Sequence, residues 1–205
     1  MTANDVNAAA SEAPPAGSRS PRAAVAVIHG RFQPLHVGHL EYLLAGKHLC
    51  DVLVVGITNP DPELTVFEPS DPTRDSVEAN PFSFYERYVM VEAALAASGV
   101  PRSEVRIVPF PHGTPGRLRH YAPHDALYLL TIYDRWGDEK LARFERLGLA
   151  THVMWRRTSK ATSGSEVRAR IAEGGDWEAL VPAAVADVIH QLGIDGRIEA
   201  VHARG

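Results

Sequence analysis

The sequence predicts an α/β fold, a Rossmann-like doubly wound parallel sheet of about five strands closed by C-terminal helices. Three observations carry this. Short apolar runs rich in Val and Ile alternate with segments of helical periodicity along most of the chain. The first strand, helix and strand fit within about 35 residues, and that spacing forces a parallel pair with a right-handed crossover. No internal repeat and no run near the ~20 apolar residues of a membrane span competes with this reading.

The elements follow in order. Residues 1–22, rich in Ala, Ser and Pro, read as a disordered tail with no apolar core of a secretory signal. Ala23 to His29 is a strand buried on both faces. Leu40 to Leu49 places Leu40, Leu43, Leu44 and His48 at helical spacing, and Val52 to Ile57 is a second buried strand. Thr58 to Pro81 carries repeated Pro and acidic residues without periodicity and leaves a strand's C-terminal end, so it reads as a lid or acceptor-side loop. Over 81–98, Phe84, Tyr88, Val91 and Leu95 recur every three or four residues, with Ser83 and Glu86 as a capping box. Val105 to Val108 and Ala126 to Ile132 are strands. Asp134 to Leu147 is a helix turning Leu141, Phe144 and Leu147 inward, and Thr151 to Trp155 is a fifth strand. A helix then runs to about Glu173, and Trp177, Leu180, Val181 and Val185 pack a C-terminal helix pair on the sheet. The domain is 23–198, with 199–205 a tail.

Composition narrows the function classes. A net charge of −4 gives no general pull toward nucleic acid or anionic membrane. The single cysteine, Cys50, forms no intrachain disulfide and reads as a buried small hydrophobe, which fits a cytoplasmic setting. His112, His120 and His124 have neither zinc-finger nor H-E-x-x-H spacing, so no metal site is assigned.

Chemistry concentrates at two helix starts. Gly30-Arg31-Phe32-Gln33-Pro34-Leu35-His36-Val37-Gly38-His39 turns the first strand into the first helix. Residues three apart share a helix face, so His36 and His39 can point at one object. The helix N-terminus adds unpaired N–H groups and partial positive charge, a site suited to phosphate. The second start is Thr162-Ser163-Gly164-Ser165-Glu166-Val167-Arg168, where Ser163 and Glu166 form an S-x-x-E capping box. Arg156, Arg157 and Lys160 precede it and Arg168 and Arg170 follow. Cations at a helix N-terminus oppose the macrodipole, so this surplus makes sense around a bound anion.

The first stretch resembles the signature of the nucleotidyltransferase superfamily with the HxGH motif, and its Arg-Phe-Gln form resembles archaeal-type nicotinamide mononucleotide adenylyltransferases. The second resembles that superfamily's Ile-Ser-Ser/Ala-Thr-x-Ile-Arg signature, with Thr162 in place of Ile and Ser165 in place of Thr. Asn80-Pro81-Phe82 and Glu86-Arg87 also resemble those adenylyltransferases. The resemblance covers roughly 23–198. It implies attack by an acceptor phosphate on the α-phosphate of a nucleoside triphosphate, with Mg²⁺ brought by the nucleotide and pyrophosphate released. His36, His39 and Arg168 are then catalytic. Gly30, Arg31, Phe32, Gly38, Ser163, Gly164 and Ser165 bind the nucleotide. Arg87 and Tyr133 are assigned to the acceptor side, as are Arg117 and Arg119, which follow a strand end and read from that position as a basic, anion-accepting rim. An acceptor that is already an anion requires no general base.

The middle of the chain departs from those relatives. Leu130-Thr131-Ile132-Tyr133-Asp134 stands where they carry a Thr-Gly-Asn type turn, and 112–125 lacks the Trp that stacks on nicotinamide. Two acceptor readings therefore stand: AMP transfer from ATP to a phosphate-bearing acceptor such as nicotinamide mononucleotide, or cytidylyl transfer from CTP to a small phosphate or phosphonate. A non-catalytic nucleotide sensor would not call for both histidines, and an RNA-binding module would want a continuous basic surface. By analogy with relatives, the chain is expected to form a homo-oligomer.

Overall fold

A computed structural model describes residues 22–61, 79–159 and 162–202. The predicted N-terminal tail apart from Arg22, most of the 58–81 loop, Lys160 and residues 203–205 lie outside the described residues.

Five parallel strands form one sheet in the order β3-β2-β1-β4-β5. They are β1 Ala23–Gly30, β2 Cys50–Thr58, β3 Val105–Phe110, β4 Leu127–Ile132 and β5 Ala150–Arg156. Helices α1 Val37–His48, α2 Phe84–Ala97, α3 Arg135–Arg146 and α4 Gly164–Ala172 follow β1, β2, β4 and β5. All five predicted strands and their alternation with helices are present, each boundary moving by no more than a few residues.

Side chains alternate across the sheet, and the two faces carry separate cores. Ala26 and Ile28 of β1 pack with α1, α2 and α4 residues and with Val185 and Ile189 nearer the C-terminus, while Val27 and β4 residues Tyr128 and Leu130 pack with Phe144 of α3. Strand order reverses between β1 and β4, and the helix after each lies on opposite faces. A crevice therefore opens at the carboxyl ends of these two strands, where open α/β sheets bind ligands. Gly46 lets α1 settle onto β1 and β4, because a Cβ there would lie 2.2 Å from Ile28 Cδ1 and 3.0 Å from Leu129 Cδ1. The Tyr42 hydroxyl donates to the Leu129 carbonyl at 2.6 Å and fixes that helix over the switch point.

The Ser83 capping box of α2 forms in full: Ser83 Oγ accepts from the Glu86 N–H and the Glu86 carboxylate accepts from the Ser83 N–H. The C-terminal helix pair is α5 Ala183–Gln191 and α6 Ile194–His202. Residues 199–202, expected in a tail, instead complete α6. Gly193, at φ +60, turns the chain after α5. Arg197 then pairs with Glu86 at 2.7 Å, and Ile198 packs on the core. No described helix is long and apolar enough to cross a membrane.

Candidate active site

The turn after β1 is tight. Phe32, fully buried, takes φ +52, a left-handed conformation that costs a bulky residue about 1–3 kcal/mol and is held only by surrounding contacts. Its ring lies under Gly30, where a Cβ would sit 2.9 Å from Cζ. The Gln33 side chain supplies the next anchor. Its amide donates to the Phe82 carbonyl at 3.1 Å, and its oxygen accepts from the Phe82 N–H at 3.0 Å, fastening the start of α2 to the loop. The Gln33–Pro34 peptide bond is cis.

His36 is the N-cap of α1. Its Nδ1 accepts from the His39 N–H at 3.3 Å, so the neutral ring carries its proton on Nε2, as a donor. Its ring stacks on His39 with centroids 3.7 Å apart, and Phe32 meets His39 edge-on at 4.9 Å. Gly38 lies against the His36 ring, and a Cβ there would make only ordinary contact, 3.4 Å from two ring atoms. The first turn of α1 contains no acidic residue, so its positive end is left to an anion from outside the helix.

The second helix start meets the first. Gly164 opens α4 against the Gln33 backbone, where a Cβ would approach the carbonyl oxygen to 2.5 Å. Arg168 donates from Nη1 to that same carbonyl at 2.5 Å and from Nη2 to Ser165 Oγ at 3.3 Å. Among the described residues, three of its five N–H groups have no partner. Ser163 caps α4 by accepting from the Glu166 N–H at 3.2 Å. Glu166 does not close the expected box. Its carboxylate accepts from Thr162 Oγ1 at 3.2 Å and pairs with Arg170 at 2.9 Å. The Thr162 departure from the family motif thus has a local contact: its buried hydroxyl holds the Glu166 carboxylate.

The expected surplus of cations is smaller than the sequence suggested. Arg156 pairs with Asp138 at 2.7 Å, Arg157 takes both oxygens of Glu41 and lies over Trp155, and Arg170 is held by Glu166. Two of these carboxylates, Asp138 and Glu41, lie 18 and 116 residues away in sequence, and Glu166 lies one helical turn before Arg170.

Arg87 is also placed otherwise than expected. It is neither an exposed helix arginine nor turned to an acceptor. It is 1% exposed and donates to the carbonyls of Ser83, Arg31, Thr58 and Asn59 at 2.7–3.1 Å. Burial, with Arg31 nearby, pushes its pKa down to about 10. Its role is to hold the ends of β1 and β2 together behind the motif. A like charge so close makes an anion over Arg31 the more favourable.

Of the remaining acceptor-side residues, Tyr133 lines an open pocket of about 240 Å³ with Ile132, Asp134, Arg156, Arg157 and Thr158, and its hydroxyl accepts from Trp155 Nε1. Arg117 and Arg119 are exposed on a 3-10 turn, Pro115–His120, and their guanidinium groups have no partner among the described residues. The 112–125 segment has no tryptophan of its own, but Trp136 of α3 meets its His112 edge-on at 6.1 Å. His29 was not singled out by its sequence position. It is 6% exposed, and neither ring nitrogen has a hydrogen-bond partner among the described residues, a state that costs about 1–3 kcal/mol. Among the described residues no group of three His, Cys, Asp or Glu converges as a metal site.

A parallel sheet with two phosphate-type helix openings closing on one loop defines a nucleotidyltransferase. The chain belongs to the cytidylyltransferase-like family, whose profile matches residues 27–170. It is 63% identical over 178 residues to phosphonoformate cytidylyltransferase of Streptomyces viridochromogenes, covering 87% of this chain and 97% of that one. It is 28% identical to nicotinamide-nucleotide adenylyltransferase of Methanolobus tindarius, over 84% and 91% of the two chains. Among solved structures it resembles the bifunctional NMN adenylyltransferase/ADP ribose pyrophosphatase of Francisella tularensis (TM-score 0.57, 16% identity). The likeness covers 89% of this chain and 57% of that longer protein, and it concerns the fold.

Proposed function

We propose that this nucleotidyltransferase moves the cytidylyl group of CTP onto a small phosphonate such as phosphonoformate. An anionic phosphonate oxygen attacks the α-phosphorus, a new P–O bond forms, and the bond to the β-phosphate breaks to release pyrophosphate. No proton needs to be removed from the nucleophile. The observation that carries the reaction type is the contact of Arg168 and Gly164 with Gln33, which brings both helix starts to one point. What supports CTP and a phosphonate over ATP and nicotinamide mononucleotide is the 63% identity to the Streptomyces enzyme, against 28% to the adenylyltransferase.

His36 and His39 stabilise the charge that shifts as the α-phosphorus changes partners, a positioning and electrostatic role rather than a covalent one. Arg31 and Arg168 hold the β- and γ-phosphates, with Ser163, Ser165 and the amides beside Gly164. Mg²⁺ comes with the triphosphate. The carboxylates of α1 and α4, Glu41 and Glu166, are each taken by an arginine, so the protein offers the ion no carboxylate from those helices. A cytoplasmic location agrees with the buried thiol of Cys50.

The test is pyrophosphate release from each of the four nucleoside triphosphates with Mg²⁺, paired with phosphonoformate, other small phosphonates and nicotinamide mononucleotide. CTP with phosphonoformate is expected to give the highest kcat/KM. Release only with ATP and nicotinamide mononucleotide would establish the adenylyltransferase reading instead.

A further inference from the structure

The HxGH turn occupies the α1 side of the switch point, and the α3 side carries a second cluster. His29, the last residue before the motif's Gly30, points to the same face as Val27, away from Ile28 and α1. Its ring stacks on Phe110 at 4.7 Å, and Phe144 lies at 5.2 Å. Burial above all, and then the charges of nearby Lys140 and His112, hold its pKa well below the usual histidine value. A neutral imidazole has one N–H donor and one acceptor. Lys140 lies over Trp136 at 4.6 Å, and Trp136 in turn meets His112. One cation, two imidazoles and an indole thus gather at the ends of β1, β3 and the start of α3.

Two features point to a ligand. Neither nitrogen of the nine-tenths buried His29 has a partner among the described residues, whereas buried polar groups are nearly always satisfied. The environment is also mixed: Phe110 and Phe144 supply apolar walls, and Lys140 and His112 stand near enough to act on the ring's charge. That suits a small planar anion better than a hydrated ion or a nucleobase.

We propose that His29, His112 and Lys140 form the acceptor's carboxylate subsite, with the phosphonate end of the same molecule lying across the switch point toward His36 and His39. This rests on the phosphonate reading above and deepens it. Phosphonoformate carries its carboxylate directly on phosphorus, so one compact acceptor can present both anionic ends to the two sides of the crevice. The His29 N–H donates to the carboxylate and Lys140 supplies charge. The edge contact of His112 with Trp136 parts to admit it.

The test is titration of the full-length protein, with and without a non-hydrolysable CTP analogue, by phosphonoformate and by methylphosphonate, which lacks the carboxylate. His29→Leu and Lys140→Met are compared with wild type. The imidazole resonance of His29 is followed by NMR in the wild type, so the test does not depend on the folding of His29→Leu. Expected are a shift of that resonance on adding phosphonoformate and a loss of phosphonoformate affinity of about tenfold or more in either variant, with methylphosphonate changed less than about threefold. The CTP-analogue affinity should stay unchanged. An unmoved resonance, equal losses for both ligands, or no binding of phosphonoformate to wild type would overturn the subsite. The function proposal is judged separately, by which nucleotide and acceptor pair releases pyrophosphate.

Discussion

Arg168 of α4 donates to the main-chain carbonyl of Gln33, 135 residues earlier, at 2.5 Å. This one hydrogen bond joins the two phosphate-type turns. The same guanidinium donates to Ser165 Oγ at 3.3 Å, so one side chain is held by both turns. Gly164 makes the approach feasible, because any Cβ there would meet the same carbonyl.

Gly164→Ala should therefore push the two openings apart. Because the obstructing atom is backbone, the cost in stability should be about 1–3 kcal/mol. The loss in kcat/KM for the triphosphate should exceed what that destabilisation explains at temperatures where the variant is folded. Thermal unfolding with pyrophosphate-release kinetics checks both. Gly196→Ala, with nothing within 4 Å of its Cβ, is the control and should leave turnover unchanged.

His39→Ala removes a ring from the stack while His36 still caps α1. If His39 acts mainly on the transition state, kcat should fall by about 10²–10³. KM for the triphosphate should move less than about threefold. Steady-state kinetics separates the two, and equal changes in both would remove His39 from the chemistry.

Arg87→Met leaves the carbonyls of Arg31, Thr58 and Asn59 without their donor in a buried place. Denaturant unfolding should show a loss of about 2–4 kcal/mol. KM for the acceptor, measured on folded protein at low temperature, should change little, because Arg87 has no surface to offer it. A large acceptor effect with intact stability would reverse that assignment.

His190 is clasped between Glu178 at 2.8 Å and Asp195 at 2.6 Å, joining α5 to the segments on either side. Both hydrogen bonds, Glu178's the larger influence, raise its pKa above the ordinary 6.5. A raised folded-state pKa makes the clasp's contribution complete below the unfolded value. It is lost as pH rises through the folded one. The melting temperature of wild type over His190→Gln should thus be greatest in mildly acid solution and shrink above neutrality. A difference that grows with pH would contradict the clasp. The group is largely exposed, so the effect should be small.

The sequence by itself determined the strand and helix alternation, both phosphate motifs and the Ser83 cap. Each is a local matter of periodicity, turn chemistry and residues a few positions apart. It also left the acceptor open, because Leu130 to Asp134 and 112–125 depart from the adenylyltransferase pattern. Only the tertiary structure decided where charges end. Arg156 and Arg157 are neutralised by Asp138 and Glu41, Arg87 is buried against carbonyls from two strand ends, and Trp136 reaches the segment that lacks its own indole. His29 reads as one more polar residue at a strand end until Phe110 and Phe144 close over it. The physical reason is common to all of these: hydrogen bonding and desolvation depend on which groups are brought within a few ångströms. That is set by the folding together of segments from about 20 to more than 100 residues apart, and no periodicity along the chain records it.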